Sequence, residues 1–139
     1  ENDGRFVHSF GKDVLSQSGS LHTITTSSDG VMILDADTKC VHVFSGEGAH
    51  LCKFEVNGYL EGCSGIVFFE PSQHALIPTL NEDNEYRGQL SIYTKDGEFV
   101  RSVQLDTNEW PWLRGITVTV DGLVAVTNYH ENKVHVLQL

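Results

Sequence analysis

The sequence predicts an all-β chain in which one four-stranded antiparallel unit is repeated three times, and three observations carry that prediction. The first is Gly115-Ile116-Thr117-Val118-Thr119-Val120-Asp121-Gly122-Leu123-Val124-Ala125-Val126, two β-branched runs joined by an Asp-Gly pair. Asp-Gly between such runs is a strong hairpin signal, because both central turn residues take φ above zero. The second is recurrence: residues 22–44 repeat the pattern of residues 114–137, with Asp-Gly at 29–30 and 121–122 and Val-His-Val at 41–43 and 134–136. The third is spacing. The two Asp-Gly pairs lie 92 residues apart, two periods of 46, and a middle copy fills the gap as Ser64-Gly65-Ile66-Val67-Phe68-Phe69, Ala75-Leu76-Ile77-Pro78 and Leu90-Ser91-Ile92-Tyr93. A tight turn and a fourth strand follow in two copies, Gly46-Glu47-Gly48 before residues 49–54 and Asp96-Gly97 before residues 98–103. Four antiparallel strands in roughly 40–50 residues make a β-propeller blade.

In chain order, Asp3-Gly4 precedes Arg5-Phe6-Val7-His8-Ser9-Phe10 as Asp96-Gly97 precedes Glu98-Phe99-Val100, so residues 5–10 read as an orphan outer strand. Residues 11–20 form a polar loop. The first blade spans 21–54: a threonine-rich first strand, 21–26, suited to a close-packed, partly wet channel; an apolar second strand, 31–34; and an alternating third, 40–44. The second blade spans 64–105, where Pro78 is expected to end the second strand and residues 79–88 to form a longer loop carrying Asn81-Glu82-Asp83-Asn84-Glu85-Tyr86-Arg87. The third, 114–139, lacks a fourth strand. Three blades do not close a ring, and propellers have about 4–8. Three is half of six. The expectation is therefore a homodimer forming a six-bladed ring, each N-terminal strand completing its partner's last blade, or else a segment of a longer propeller.

The units resemble the NHL repeat, whose pattern runs Gly-Ile-x-Val-x-x-Asp-Gly-x-Ile-x-Val-x-Asp-x-x-Asn-x-Arg-Val-x-Val-Phe. Residues 115–137 and 22–44 match best; Asp35 and Asn128 fall on the post-strand Asp, Cys40 and Lys133 on the Arg. Thr38 and Glu131 depart from the Asn, and Glu70-Pro71-Ser72-Gln73-His74 replaces the middle Asp-Gly. The resemblance covers essentially the whole chain. It implies the six-bladed propeller of tripartite-motif NHL proteins, in which this domain selects the substrate of a ubiquitin ligase while a separate RING domain carries the transfer. No RING, B-box or coiled coil is recognisable in this sequence, so the chain itself is expected not to be an enzyme. Some NHL propellers bind RNA on the same face, the alternative that the resemblance implies.

Composition narrows the partners. A net charge of −10, a pI near 4.9 and nine Lys plus Arg oppose nonspecific nucleic-acid binding, whose affinity comes from basic contacts to phosphates. No apolar run approaches the roughly 18 residues of a membrane span, and nothing at the N-terminus reads as a signal. Cys40, Cys52 and Cys63 match no zinc spacing, and an odd count fits a reducing, cytoplasmic setting. Cys40 and Cys52 lie on neighbouring strands and would pair only if oxidised; buried free thiols are the default.

Strand directions alternate, so one face of the ring should gather residues 12–18, 35–39, 57–61, 81–87, 106–114 and 128–132. The candidate partner-binding residues are Trp110, Trp112, Arg114, Tyr129, His130, Tyr59, Tyr86, Arg87 and Lys39, since aromatics and arginine dominate interface energetics. Each has a structural alternative: one tryptophan as a lid between blades, Arg114 paired with Glu109 or Glu131, residues 81–85 as a solvated loop rather than a calcium site. No cofactor, metal site or catalytic residue is expected. His42 and His135 hold one repeated slot, His22, His50 and His74 read as isolated, and no Ser/His/Asp or Cys/His set follows from spacing. The leading reading is a non-catalytic recognition module for a protein partner. A metal-dependent propeller hydrolase or lyase is a further alternative, disfavoured because the first strands supply mainly Thr, Ile, Val and Phe where such enzymes gather His, Asp, Asn and Glu.

Overall fold

The computed structural model describes residues 4–17 and 23–139. Eleven strands follow one another among those residues. β1 (Thr23–Ser27), β2 (Gly30–Asp35), β3 (Cys40–Phe44) and β4 (His50–Glu55) form one four-stranded sheet in sequence order. β5 (Val67–Phe69), β6 (His74–Asn81), β7 (Arg87–Thr94) and β8 (Phe99–Glu109) form the second. β9 (Leu113–Val118), β10 (Leu123–Asn128) and β11 (Lys133–Gln138) form a three-stranded third. All neighbouring strands are antiparallel. The first strands of the sheets meet one another: the Phe68 N–H donates to Thr25 Oγ1 at 3.2 Å, and the Ser64 N–H to the Leu113 carbonyl at 2.7 Å. The chain is thus an all-β propeller of three blades, two four-stranded and one three-stranded.

Turn chemistry fixes the hairpins. Gly30 has φ 142°, and a Cβ there would lie 2.1 Å from the Phe44 carbonyl oxygen, so no other residue fits. Where the middle blade has no glycine, Gln73 takes the left-handed conformation at φ 56° while its amide donates to the Glu70 carbonyl at 2.8 Å.

The core lies between the sheets. Met32, Leu34, Val41 and Val43 fill the first gap, Leu76, Leu90, Ile92, Val124 and Val126 the second, and all are buried. At about 25 cal/mol per Å² of apolar surface removed from water, these two seams dominate the stability. β3 is buried along its whole length rather than alternating, because the second sheet covers one face and residues 10–15 approach the other, with Phe10 and Leu15 beside Gly11 and Phe44.

Several expectations are corrected. Pro78 does not end its strand: β6 runs on to Asn81, and Pro78 pairs with Leu90. Leu80 exchanges both backbone hydrogen bonds with Tyr59, on the side away from β7, so two residues earlier the missing proline donor points the same way. There β5 has already stopped, its last partner being Leu76, and no ladder bond is lost. Half of 79–88 is therefore an extension of one hairpin, and the turn is confined to 82–86. Likewise, β8 reaches Glu109 and β9 starts at Leu113, so most of the expected 106–114 loop is strand. Cys40 faces Glu55 and Cys52 faces Val43, three positions apart along the ladder, or about 10 Å. A disulfide is excluded, and all three cysteines are free. His50 is not isolated: its Nε2 lies 3.2 Å from His42 Nδ1. Residues 5–10 join no ladder among the described residues. Residues 1–3, Ser18, Leu21 and His22 lie outside the described residues.

Candidate partner-binding face

The linkers between blades and the β2–β3, β6–β7 and β10–β11 turns are stitched by backbone bonds. The Trp110 N–H donates to the Tyr86 carbonyl at 3.2 Å, and the Tyr129 N–H to the Trp112 carbonyl at 2.8 Å. Two side-chain clusters result. In one, Tyr86 and Trp110 stack at 4.1 Å and 17°, and Tyr59 stands edge-on to both at 5.7 Å. Lys39 Nζ caps Tyr59 at 5.3 Å from its ring centre. In the other, Trp112 stacks on Tyr129 at 5.9 Å with His130 at 6.2 Å, and the Arg114 guanidinium lies 5.0 Å over the Trp112 ring. Eight of the nine expected residues fall into these groups. Arg87 is the exception; it braces the hairpin, donating to the Thr107 carbonyl and to Glu85, each at 3.3 Å.

The tryptophans straddle Pro111, which is buried against Gly88, where a Cβ would come within 3.2 Å of its ring. Anchoring the proline sends one indole to each cluster. Neither acts as a buried lid: Trp110 remains 42% exposed, Trp112 45% and Tyr129 69%. Trp112 does lean on the linker, against Gly62. Lys39, Tyr86 and Trp110 all have positive φ, at 53°, 54° and 53°. Each such residue costs about 1 kcal/mol or more, and such strain concentrates at functional sites.

Acidic residues rim the aromatics. The Tyr59 hydroxyl donates to Glu61, which raises the phenol pKa. Glu131 accepts the Asn108 N–H and pairs with Lys133 at 3.1 Å; the amide bond chiefly holds its carboxyl below the ordinary value. Arg114 therefore pairs with neither Glu109 nor Glu131 and stacks on indole instead. In the 81–85 run, Asn81 Oδ1 accepts the Asp83 N–H at 3.0 Å and caps the turn. Among the described residues no three His, Cys, Asp or Glu side chains converge. Asp35 and Asn128, on the repeat's acidic position, are buried scaffold. Asp35 accepts from Ser16 and from the amides of Asp37 and Thr38, and Asn128 Oδ1 accepts the Glu131 N–H. Pro111 and Gly62 are the contributors that sequence reading missed; the proline between two tryptophans was the available signal.

No family model matches the chain, and no curated protein matches it. Solved structures do. Selenomethionine-substituted virginiamycin B lyase from Staphylococcus aureus superposes with a TM-score of 0.54 at 12% identity, covering 84% of this chain and 40% of that one. A protein of unknown function from Bacteroides caccae gives 0.52 at 14%, covering 84% and 44%. The chain spans less than half the length of either. At these identities the likeness shows the fold alone: this is a propeller segment.

Proposed function

We propose that the chain is a non-catalytic recognition module that binds a protein partner through the face carrying the two aromatic clusters. The observation that carries the reading is the pair of half-exposed, cation-capped stacks, Tyr59–Tyr86–Trp110 and Trp112–Tyr129, held on a rigid scaffold by backbone bonds. Aromatic surface pre-ordered in this way loses little entropy on binding. The NHL resemblance supports a role as the substrate-selecting domain of a cytoplasmic ubiquitin ligase, with transfer carried by a RING domain elsewhere in a longer protein. The acidic rim, with Glu61, Glu82, Asp83, Asp106 and Glu109, favours protein over RNA. The name of the matched lyase invites a catalytic reading, but β1, β5 and β9 read TITTS, VFF and LRGITV and bring no His, Asp, Asn or Glu to the channel.

The test is a photo-crosslinker at position 129 in cells, with and without ribonuclease. A protein adduct that resists ribonuclease and is lost in W110A/W112A supports the reading. Adducts unchanged in that variant sink it, and a salt-dependent affinity for a single-stranded RNA oligonucleotide replaces it with the RNA alternative.

A further inference from the structure

The two aromatic clusters differ in the charge around them. In the second, Arg114 lies 5.0 Å over the Trp112 ring, His130 stands beside it, and the Glu131 carboxyl is already engaged by Lys133 and the Asn108 N–H. In the first, Lys39 is seated on Tyr59 at 5.3 Å. Arg87 faces Glu109 across the ladder but turns instead to Glu85 and the Thr107 carbonyl. Glu82, Asp83, Asp106 and Glu109 are exposed, and among the described residues they enter no ion pair. Negative charge is therefore in excess beside the first cluster and balanced beside the second.

That excess lies against the rings. Glu109 directly precedes Trp110, and Glu82 adds to the field of Glu61, whose hydrogen bond chiefly raises the Tyr59 phenol pKa. Two surface pockets flank the 82–86 turn that carries Tyr86. One, of about 240 Å³, is lined by Glu82 and Asp83 with Gly58 and Leu80; the other, of about 450 Å³, by Asp106 and Glu85 with Gln104 and Leu105. The chain itself shows what such rings hold. Trp112 and Tyr59 each carry a cation of the protein, whereas half-exposed Trp110 carries none among the described residues. A cation within about 6 Å of an indole face is attracted by the ring, and a carboxylate beside it strengthens the hold.

We propose, resting on the recognition reading of this face, that the partner presents an arginine-bearing basic segment whose guanidinium groups dock on Trp110 and in the two carboxylate-lined pockets beside it. The occupant follows from charge complementarity. The chain carries a net charge of −10, its own cations on this side are spent on Tyr59 and Glu85, and the unpaired carboxylates border the ring that lacks a cation. Arginine fits better than lysine, because its planar fork stacks on an indole while bonding a carboxylate through two N–H groups. An acidic segment meets like charge at the same place.

Fluorescence anisotropy of labelled peptides with the full chain tests this, using a short Gly-Ser peptide that carries several arginines and the same peptide with glutamine or glutamate in their place. The arginine peptide should bind, quench tryptophan emission and weaken as salt rises, and the other two should not bind. D106N/E109Q should lower its affinity about 3–10-fold, as the loss of two exposed ion pairs does, and W110L about 2–5-fold, with strand circular dichroism retained in both. E47Q/E98Q removes the same charge from turns at the opposite end of the strands and should leave binding unchanged. A glutamine or glutamate peptide that binds as well, an equal loss in E47Q/E98Q, or no binding of the arginine peptide overturns the proposal. The crosslinked adduct at position 129 distinguishes this failure from that of the recognition reading. An adduct lost in W110A/W112A but undiminished in D106N/E109Q overturns the basic partner alone, whereas one unchanged in W110A/W112A overturns both.

Discussion

The second and third sheets are written in one strand pattern and meet different surroundings. In the second, Leu90 and Ile92 on β7 are buried by the blade that follows; in the third, Val134 and Val136 on β11 hold the same slots and face outward. On the reverse face of the third sheet Val124 and Val126 are fully buried against the second. The difference teaches that burial in this fold is a property of the neighbour in the ring and not of the strand. A blade's stability is therefore a sum of its own ladder and of the seams on either side.

The sharpest test of that comparison is truncation in matched slots. Ile92→Ala should cost about 2–5 kcal/mol, as methyl deletions in closed cores do, while Val136→Ala should stay within about 0.5 kcal/mol when measured by urea unfolding at concentrations where the chain is monomeric. Equal costs would break the comparison. The turns give the next largest effect. Gly97→Ala drives a Cβ to 2.3 Å from Phe54, whereas at Gly122 the nearest atom is Phe69 Cζ at 3.6 Å, with φ near +90° at both. The first should cost about 1–3 kcal/mol more than the second by thermal melting.

Acid should loosen the linker that carries both tryptophans. Glu131 is the carboxylate whose acceptance of the Asn108 N–H lowers its pKa below the ordinary 4.5. Because the folded value is the lower one, its contribution is present above the ordinary carboxylate pKa and is lost as pH falls through the folded value. Tryptophan emission is expected to shift as pH drops below about 4, where the 108–112 linker loses its tether. Glu131→Gln should flatten that shift. The smallest effect is chemical. Burial pushes the Cys63 thiol up to about 12, so it should resist a thiol reagent at pH 8 in the folded protein while exposed Cys52 reacts at once.

Much of the fold was legible. Asp-Gly turns, β-branched runs and a 46-residue period specify hairpins and their repetition, and the third and fourth strands of the first blade fall where the pattern puts them. Pro78 misled because its harm depends on whether a neighbour needs its missing N–H. That in turn depends on where β5 stops. The candidate face was legible as a set of loops: eight of the nine expected residues cluster there. Their division into two stacks was not, nor was Arg87's diversion to the Thr107 carbonyl, because Tyr59, Tyr86 and Trp110 come from separate connections that only blade packing brings together. His50 failed similarly, since its meeting with His42 depends on cross-strand placement after a bulge beside Val43 and Phe44.

By itself the sequence determined what is local: turn stereochemistry, strand alternation and the spacing that makes one blade like another. These depend on backbone dihedrals and on residues within a few positions of each other. The tertiary structure alone decided which apolar slots are covered, which aromatic rings meet and which cysteines are out of reach. Those outcomes depend on how separate sheets stack and on the register between strands, distances that no short stretch of chain encodes.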